Sequence, residues 1–215
     1  MTLIPAEQLK KTFKVEAKFY YAQVNQERFL MRREARIFRN SIRQSTIDAV
    51  IVMVNPGSCV PEGVIGNVES AEAPFIPAKP DPTQYQLMNL MERKGWNVIT
   101  LVNLSDICEG NIKNFISRKK EFRKANVDHS LFQQGNKKEL EELLASANHL
   151  IFAWGASDIA QKLASQFGLF QDGKPTKSYL HAKALIQLER KYPRHPRPAT
   201  KVNQIIWLDD MEPLL

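Results

Sequence analysis

One short segment strongly restricts what this chain can fold into: an apolar run that ends at a polar turn. The run Ala49–Val54 contains only apolar residues and stops at Asn55-Pro56-Gly57-Ser58. A strand that is apolar on both faces is typical of a parallel sheet with helices on both sides. In open α/β sheets, ligands bind at the carboxyl ends of the strands. The turn therefore predicts a functional site that begins at Asn55.

Further apolar runs predict a sheet of four strands, and helical patterns separate the first three of them. The predicted strands are Ala49–Val54, Val98–Asn103, His149–Trp154 and Ile205–Leu208. The predicted helices are Pro82–Arg93, Asn136–Ser146 and Ser157–Phe167. Alternating strands and helices favour right-handed crossovers between parallel strands. We therefore predict an α/β fold of three layers, α/β/α, around a central, mainly parallel four-stranded sheet.

The remaining segments complete a prediction of one domain over residues 1–215. Residues 1–48 are predicted to be an N-terminal extension packed on the core. Within them, Arg32, Arg36, Arg39 and Arg43 have helical spacing, while the stretch around Phe29–Met31 also fits a strand. The segment Gly57–Lys79 is rich in glycine and proline and has no helical period. It is predicted to be a long loop that forms a pocket wall beside Asn55.

Composition restricts the class of protein and its partners. No apolar stretch approaches the ~20 residues of a membrane span, and the N-terminus lacks the apolar core of a secretory signal. We therefore predict a cytoplasmic protein that does not bind membranes. The 30 Lys and Arg residues against 23 Asp and Glu give a net charge of +7, which favours a polyanionic partner, above all nucleic acid.

The cysteine and histidine content argues against a cofactor held by metal-binding motifs. The two cysteines, Cys59 and Cys108, are too few for a disulfide framework or a four-cysteine site. No Cys-x-x-Cys, His-x-x-x-His or His-Glu-x-x-His spacing occurs in the sequence. We expect two free thiols, no metal and no cofactor.

Four segments, in this order, resemble the motifs of the uracil-DNA glycosylase superfamily. Val54–Gly57 resembles the first motif, which reads Gly-x-Asn-Pro-Gly in the mismatch-specific branch. Val98–Asn103 looks like the second core strand, and His149–Ala156 is similar to the apolar strand that ends in Trp-Gly or Leu-Gly. His195-Pro196-Arg197-Pro198 resembles the last motif, His-Pro-Ser-Pro. Uncharacterised bacterial and phage proteins share these motifs together with an Asp-Pro-Thr that matches Asp81-Pro82-Thr83.

The chain also departs from the superfamily pattern. Met53 stands where the first motif has glycine, and Arg197 stands where the last motif has serine. Asn55 replaces the aspartate that activates water in the most active branch. These differences argue against a fast, dedicated uracil enzyme and leave base excision open.

The resemblance implies a monofunctional DNA glycosylase. Such an enzyme flips a damaged or modified pyrimidine out of DNA and hydrolyses its N-glycosidic bond, which leaves an abasic site. The altered motifs favour a bulky modified base, such as a hypermodified phage cytosine, and with it a role in antiviral defence. The implied partner is DNA, the implied enzyme needs neither metal nor cofactor, and we expect a monomer.

The same resemblance, together with the chemistry of the side chains, gives the candidate site. Asn55 would position the water and His195 would stabilise the departing base, while Asp81 is the candidate to activate the water. The base-binding candidates are Asn103, Gly57, Ser58 and Phe75. The candidates for contacts to DNA phosphates are Arg194, Arg197, Lys191 and Lys201.

Several alternatives remain open from the sequence. Asn55 can simply begin a turn, and Asp81 can serve only as a helix cap. Asp106 is a rival for activating water. The basic run Arg118–Lys124 is either a solvated face or a nucleic-acid contact. At the level of function, the alternatives are a non-catalytic nucleic-acid-binding protein on the same fold and an enzyme that processes a nucleotide or nucleoside.

Overall fold

The computed structural model describes residues 2–42, 46–66 and 73–215. The α-helices in these ranges are α1 (Ala6–Thr12), α2 (Pro82–Lys94), α3 (Ile112–Lys124), α4 (Lys137–Ala145), α5 (Asp158–Gln166) and α6 (Lys201–Met211). The strands are β1 (Phe13–Val24), β2 (Glu27–Arg39), β3 (Ile47–Met53), β4 (Val60–Pro61), β5 (Phe75–Lys79), β6 (Val98–Asn103), β7 (Ala147–Phe152), β8 (Phe170–Gln171), β9 (Lys174–Pro175), β10 (Ile186–Gln187) and β11 (Tyr192–Pro193). Short 3-10 helices span Gln134–Asn136, Lys177–Tyr179 and Glu212–Leu214.

The central sheet is larger and more antiparallel than the sequence predicts. Its seven strands have the order β4-β5-β1-β2-β6-β3-β7. Only β3 forms parallel pairs, with β6 and with β7, and the other neighbours are antiparallel. The α/β class is therefore confirmed, and the predicted four-stranded, mainly parallel sheet is wrong. The additional strands come from residues that the sequence assigned to an extension and a loop.

The N-terminal segment forms a long hairpin that lies within the sheet. Apolar and charged residues alternate along the start of β1, as expected for a strand with two different faces. Asn25 and Gln26 connect β1 to β2 with φ angles of 47° and 69°, which is the backbone of a type I′ turn. The helical interpretation of Arg32, Arg36 and Arg39 is therefore wrong, and Arg43 lies outside the described residues.

The predicted strand Ile205–Leu208 is also wrong, because these residues belong to helix α6. A short apolar run does not distinguish a buried strand from the buried face of a helix. Thr200 caps this helix, since its hydroxyl accepts a hydrogen bond from the amide of Asn203 at 3.3 Å. Trp207 and Met211, one turn apart, are buried.

The predicted loop Gly57–Lys79 contains two strands. Strand β4 pairs with β5, and β5 pairs with β1 through the register Phe75↔Lys18. The prediction that Phe75 belongs to an irregular loop is therefore wrong, while residues 67–72 lie outside the described residues. Pro77 within β5, with Pro74 and Pro80 directly before and after the strand, hides the strand pattern. These prolines are tolerated because β5 lies near the sheet edge.

Helices cover both faces of the sheet, which gives three layers. On one face, Ile51 of β3 packs in a cluster with residues of α1, α2 and α6. On the other face, Val50 and Val52 pack in a cluster with residues of α3, α4 and α5. The three predicted helices correspond to α2, α4 and α5. None of the helices in the described ranges has the length and apolar character needed to cross a membrane.

Candidate active site at the ends of β3 and β7

The candidate site lies where parallel strands of the sheet send their chain connections to opposite faces. The connection from β3 leads through α2 on one face of the sheet to β6. The connection from β6 leads through α3 and α4 on the other face to β7, on the far side of β3. The chain leaves β7 through α5, on the same face as α3 and α4, so the neighbours β3 and β7 have their connections on opposite faces. Open α/β sheets bind ligands outside the carboxyl ends of such strands, and we call this space at the ends of β3 and β7 the crevice. Here the turn Asn55–Ser58 follows β3, and Trp154-Gly155 follows β7.

The two carboxylate oxygens of Asp81 make different contacts. Its Oδ1 caps α2 by accepting hydrogen bonds from the amides of Thr83 at 2.8 Å and Gln84 at 2.9 Å. The side chain of Gln84 accepts from the amide of Asp81, which completes a capping box. The other oxygen, Oδ2, lies 3.5 Å from the position that a Cβ atom would take on Gly57. The cap therefore holds Oδ2 against the turn that follows β3.

His195 packs against Gly155, which lies just after the end of β7. A Cβ atom on Gly155 would lie 3.1 Å from the Cβ of His195. The amide of Gly155 also donates a hydrogen bond of 2.9 Å to the carbonyl of Pro193. Because Gly155 has a φ of +80° and no side chain, the segment that carries His195 can pack directly on the end of β7.

One ring nitrogen of His195, Nδ1, contacts the backbone of Arg197. Its Nδ1 lies 3.1 Å from the amide nitrogen of Arg197, which can only donate, and 3.3 Å from the carbonyl oxygen of the same residue. Nδ1 either accepts from this amide or donates to this carbonyl, depending on the tautomer, so the backbone of Arg197 holds this nitrogen in both cases. Burial lowers the pKa of His195, while the backbone of Arg197 and the carboxylate of Asp81 act in the opposite direction. The site therefore combines a neutral imidazole with a carboxylate.

Asn55 ties the turn after β3 to the loop after β6. Its side-chain nitrogen Nδ2 donates to the carbonyl oxygen of Glu109. Because a carbonyl only accepts, this contact fixes the orientation of the amide group. The role of Asn55 in positioning water stays a prediction.

Asn103 does not reach the surface of the crevice. Only 1% of this residue is exposed, and its Oδ1 accepts a hydrogen bond of 3.3 Å from Arg32. The structure thus places the predicted base-binding amide beneath the site. In this position it stabilises the end of β6.

Arg32 is a residue that the sequence analysis did not assign to the site. It is 3% exposed, and its guanidinium also donates to the carbonyl of Pro56 at 3.4 Å. No described carboxylate forms an ion pair with it, and its buried Nε has no partner among the described residues. No alternation along β2 marks Arg32, because residues 31–35 are all buried, so its contact with the Asn-Pro-Gly turn is seen only in the structure.

Phe75 lies far from the other predicted site residues. Strands β1, β2 and β6 separate β5 from β3, a distance on the order of 20 Å at normal strand spacing. The cations of Lys18 and Arg36 lie 4.9 Å and 4.3 Å from the centre of its ring. Phe75 therefore does not stack on a base bound at Asn55, and its ring already contacts two cations.

The four predicted phosphate contacts differ in their availability. Arg194 forms an ion pair of 2.6 Å with Asp210 and so has a counter-ion within the protein. Arg197 and Lys201 are exposed near the crevice, at the segment that carries His195 and at the start of α6. Lys191 is exposed in the turn between β10 and β11, with its stem against Gly173. Ser58 is exposed next to Gly57.

Asp106 and Cys59 are buried, and Cys108 is half-buried. Oδ2 of Asp106 accepts hydrogen bonds from Tyr20 at 3.0 Å and from Arg33 at 3.3 Å. Burial raises the pKa of Asp106 to about 7, against the opposing effect of Arg33. Both cysteines are free thiols, and burial raises the pKa of Cys108 to about 12. In the described ranges no three His, Cys, Asp or Glu side chains are grouped so that they could hold a metal ion.

Comparison with known proteins gives the family of the chain. Residues 76–197, more than half of the sequence, match the family described as protein of unknown function (DUF1643), and the chain belongs to this family. The matched region contains Asp81, Gly155 and His195, whereas Asn55 and Gly57 precede it. No curated protein and no solved structure matches the chain.

Proposed function

We propose that this protein is a DNA glycosylase that releases a damaged or modified pyrimidine and leaves an abasic site. The observation that carries the proposal is the placement of Asp81 Oδ2 and the His195 ring at the two glycines, Gly57 and Gly155, that end the turns after β3 and β7. The motif resemblance and the net charge of +7 also support it. A bulky modified cytosine is the substrate class to test first, and an antiviral role would follow from it.

The proposed reaction assigns a different step to each side chain. Asp81 Oδ2 accepts a proton from a water molecule as the water oxygen bonds to C1′ of the sugar and the C1′–N bond breaks. The electron pair of that bond leaves with the base, and Nε2–H of His195 donates a hydrogen bond to the base oxygen on which negative charge grows. Asn55 Oδ1 accepts from the same water and orients it.

The residues proposed to contact the base differ from those that the motif resemblance implies. Asn103 is buried under Arg32 and Phe75 is several strands away. Contacts to the base would therefore come from Ser58 and from the backbone of Gly57.

The test is base release from a panel of DNAs that are unmodified, uracil-containing, or hypermodified with hydroxymethylated or glucosylated cytosine. Mass spectrometry of the released base and alkali-labile strand breaks provide two independent readouts. Asp81→Asn keeps a side chain that caps α2 and removes the charge, so we expect a decrease in rate of about 100-fold or more. His195→Asn keeps an acceptor for the amide of Arg197 and removes Nε2, with an expected decrease of about 100-fold.

The variants also show which results would contradict the proposal. Glu212→Gln, an acid remote from the crevice at the end of α6, is the control and should retain full activity. Absence of base release from every DNA in the panel would reject the enzyme activity. Equal rates for wild type and Asp81→Asn would reject the assigned role of Asp81.

A non-catalytic nucleic-acid-binding protein is the second candidate. The burial of Asn103 favours it, since the amide that would read the base in a related enzyme is not exposed here. This candidate predicts DNA binding that depends on salt and survives Asp81→Asn, with no abasic product. The panel above therefore distinguishes the two candidates.

A further inference from the structure

A groove between α3 and α5 is lined by several basic side chains and by few acidic ones. Its volume is about 470 Å³, and its basic residues are Lys119, Lys120, Arg123 and Lys162. Asp158 is the one acidic residue that lines it. None of these four cations forms an ion pair with a carboxylate in the described ranges. The groove therefore carries a concentrated positive charge in the free protein.

Neighbouring helices show that this arrangement is not general to the surface. On α4, Lys137 and Lys138 are each placed one turn before a glutamate, Glu141 and Glu142, at 3.7 Å and 3.8 Å. On α3 itself, Arg118 pairs with Glu109 at 3.1 Å. In the groove, burial lowers the pKa of Lys119, and the positive charges of Arg123 and Lys162 lower it further. An anion bound between the helices would relieve this repulsion.

Helix α5 connects the groove to the candidate site. It begins at Asp158, just after the turn that follows β7. The side chain of Gln161 donates a hydrogen bond of 3.3 Å to the carbonyl of Gly155, the residue that packs against His195. Asp158, Ile159, Lys162 and Gln166 line the groove on one side of the same helix. A strand of DNA that leaves the crevice along α5 would therefore meet the groove.

We propose that the α3–α5 groove binds the phosphate backbone of duplex DNA next to the candidate site, an inference that rests on the proposed function and extends it. Lys and Arg side chains neutralise phosphates and release counterions, which makes binding dependent on salt. Among the described residues that line the groove there is no aromatic ring, so it lacks the stacking surface that single strands use. This favours a duplex over a single strand.

The test compares two double variants with the same change in net charge. Lys120→Glu with Lys162→Glu reverses two exposed cations of the groove, and Lys137→Glu with Lys138→Glu reverses two exposed lysines of α4. Fluorescence anisotropy measures the binding of a short labelled duplex across a salt series. The groove variant should lose at least about tenfold in affinity, and the slope of log K against log salt should decrease by about 2. The α4 variant should stay close to wild type.

Each other outcome contradicts the inference. Equal losses in both variants would mean that only net charge matters, and unchanged binding in the groove variant would mean that the groove is not used. Tighter binding of wild type to a single strand or an RNA duplex would reject duplex DNA as the ligand. Base release by wild type is measured separately, so a protein that binds DNA through the groove but releases no base would contradict only the proposed function.

Discussion

The Cβ atom of His195 lies 3.1 Å from the place that a side chain would occupy on Gly155. This contact leaves no space for a methyl group, and Gly155 also has a φ of +80°. Gly155→Ala should therefore lose about 1–2 kcal/mol from backbone strain and also displace His195. We expect the pKa of His195 to rise towards its ordinary value as the ring leaves its buried position, and base release to fall. An NMR titration of the imidazole measures the first effect.

Gly168→Ala is the matched control for this variant. Gly168 follows α5 with a φ of +68°, and nothing lies within 4 Å of a Cβ atom built there. It should show the same loss of stability with no change in the pKa of His195. If both variants leave the imidazole titration unchanged, the packing of Gly155 does not position His195.

The sequence predicts the parallel part of the fold well because that part obeys local rules. Strands β3, β6 and β7 each contain a short apolar run, and α2 has both a capping box and a C-terminal glycine, Gly95, with a φ of 64°. Of the hairpin β1–β2, only the strand pattern around Phe29–Met31 is indicated by the sequence and confirmed, because the charged residues of β2 also match a helical period. Its antiparallel partners, including β6, are distant in the sequence. Long-range pairing of this kind leaves only a weak local signal.

The candidate site is predictable only in part for a related reason. Motifs identify Asp81, Gly57 and His195 as residues of interest, and the structure brings their elements together at one edge of the sheet. Motifs do not indicate which side chains of the site are buried. A β-bulge, in which Arg33 and Glu34 lie opposite Lys18, changes the register of β2 against β1. The contact between Arg32 and Asn103 follows from this tertiary arrangement, which no spacing in the sequence encodes.

Two substitutions of Asp81 distinguish its role as the cap of α2 from its proposed catalytic role. Asp81→Ala removes the cap of α2 and should lower the free energy of unfolding by about 1 kcal/mol. Asp81→Asn retains an acceptor for the amides of Thr83 and Gln84 and should stay within about 0.5 kcal/mol of wild type. Chemical denaturation measures both. A large loss of stability in Asp81→Asn would mean that its effect on activity cannot be assigned to Oδ2.

Substitutions of Asn103 distinguish a role in protein stability from a role in base recognition. Asn103→Leu removes the acceptor of a buried guanidinium and should cost about 1–3 kcal/mol. Asn103→Asp supplies Arg32 with a carboxylate in the same place and should retain or increase stability. Thermal unfolding of both variants measures the difference. A normal unfolding temperature in Asn103→Leu, together with a changed preference for the released base, would restore the role in base recognition.

Asp106 and His129 should give opposite pH dependences of stability. Burial raises the pKa of Asp106 to about 7, so its contribution is fully present below its ordinary pKa of 3.8 and is lost as the pH rises through 7. Burial lowers the pKa of His129 from 6.5 to about 4. Its contribution is therefore present above pH 6.5 and is lost as the pH falls through 4. Between these limits the two effects oppose each other in the wild-type protein.

Single substitutions should reveal each effect. Relative to wild type, Asp106→Asn should gain stability as the pH rises from 4 to 7, and His129→Gln should gain stability as the pH falls from 6.5 to 4. The slope of each difference is at most about 1.4 kcal/mol per pH unit, the value for one proton. Urea denaturation at a series of pH values measures both slopes. Slopes of the same sign would contradict the assignment of buried, neutral forms to these two residues.

The turn of the first hairpin offers a test of the unexpected part of the fold. Gln26 has a φ of 69°, a conformation that costs about 1 kcal/mol for a residue with a side chain. Gln26→Gly creates Asn-Gly, the preferred pair of a type I′ turn, and should raise stability by up to about 1 kcal/mol, since glycine also increases the entropy of the unfolded chain. Gln26→Val, with a branched side chain, should lower it. Thermal unfolding measures both variants, and a loss of stability in Gln26→Gly would contradict the type I′ turn.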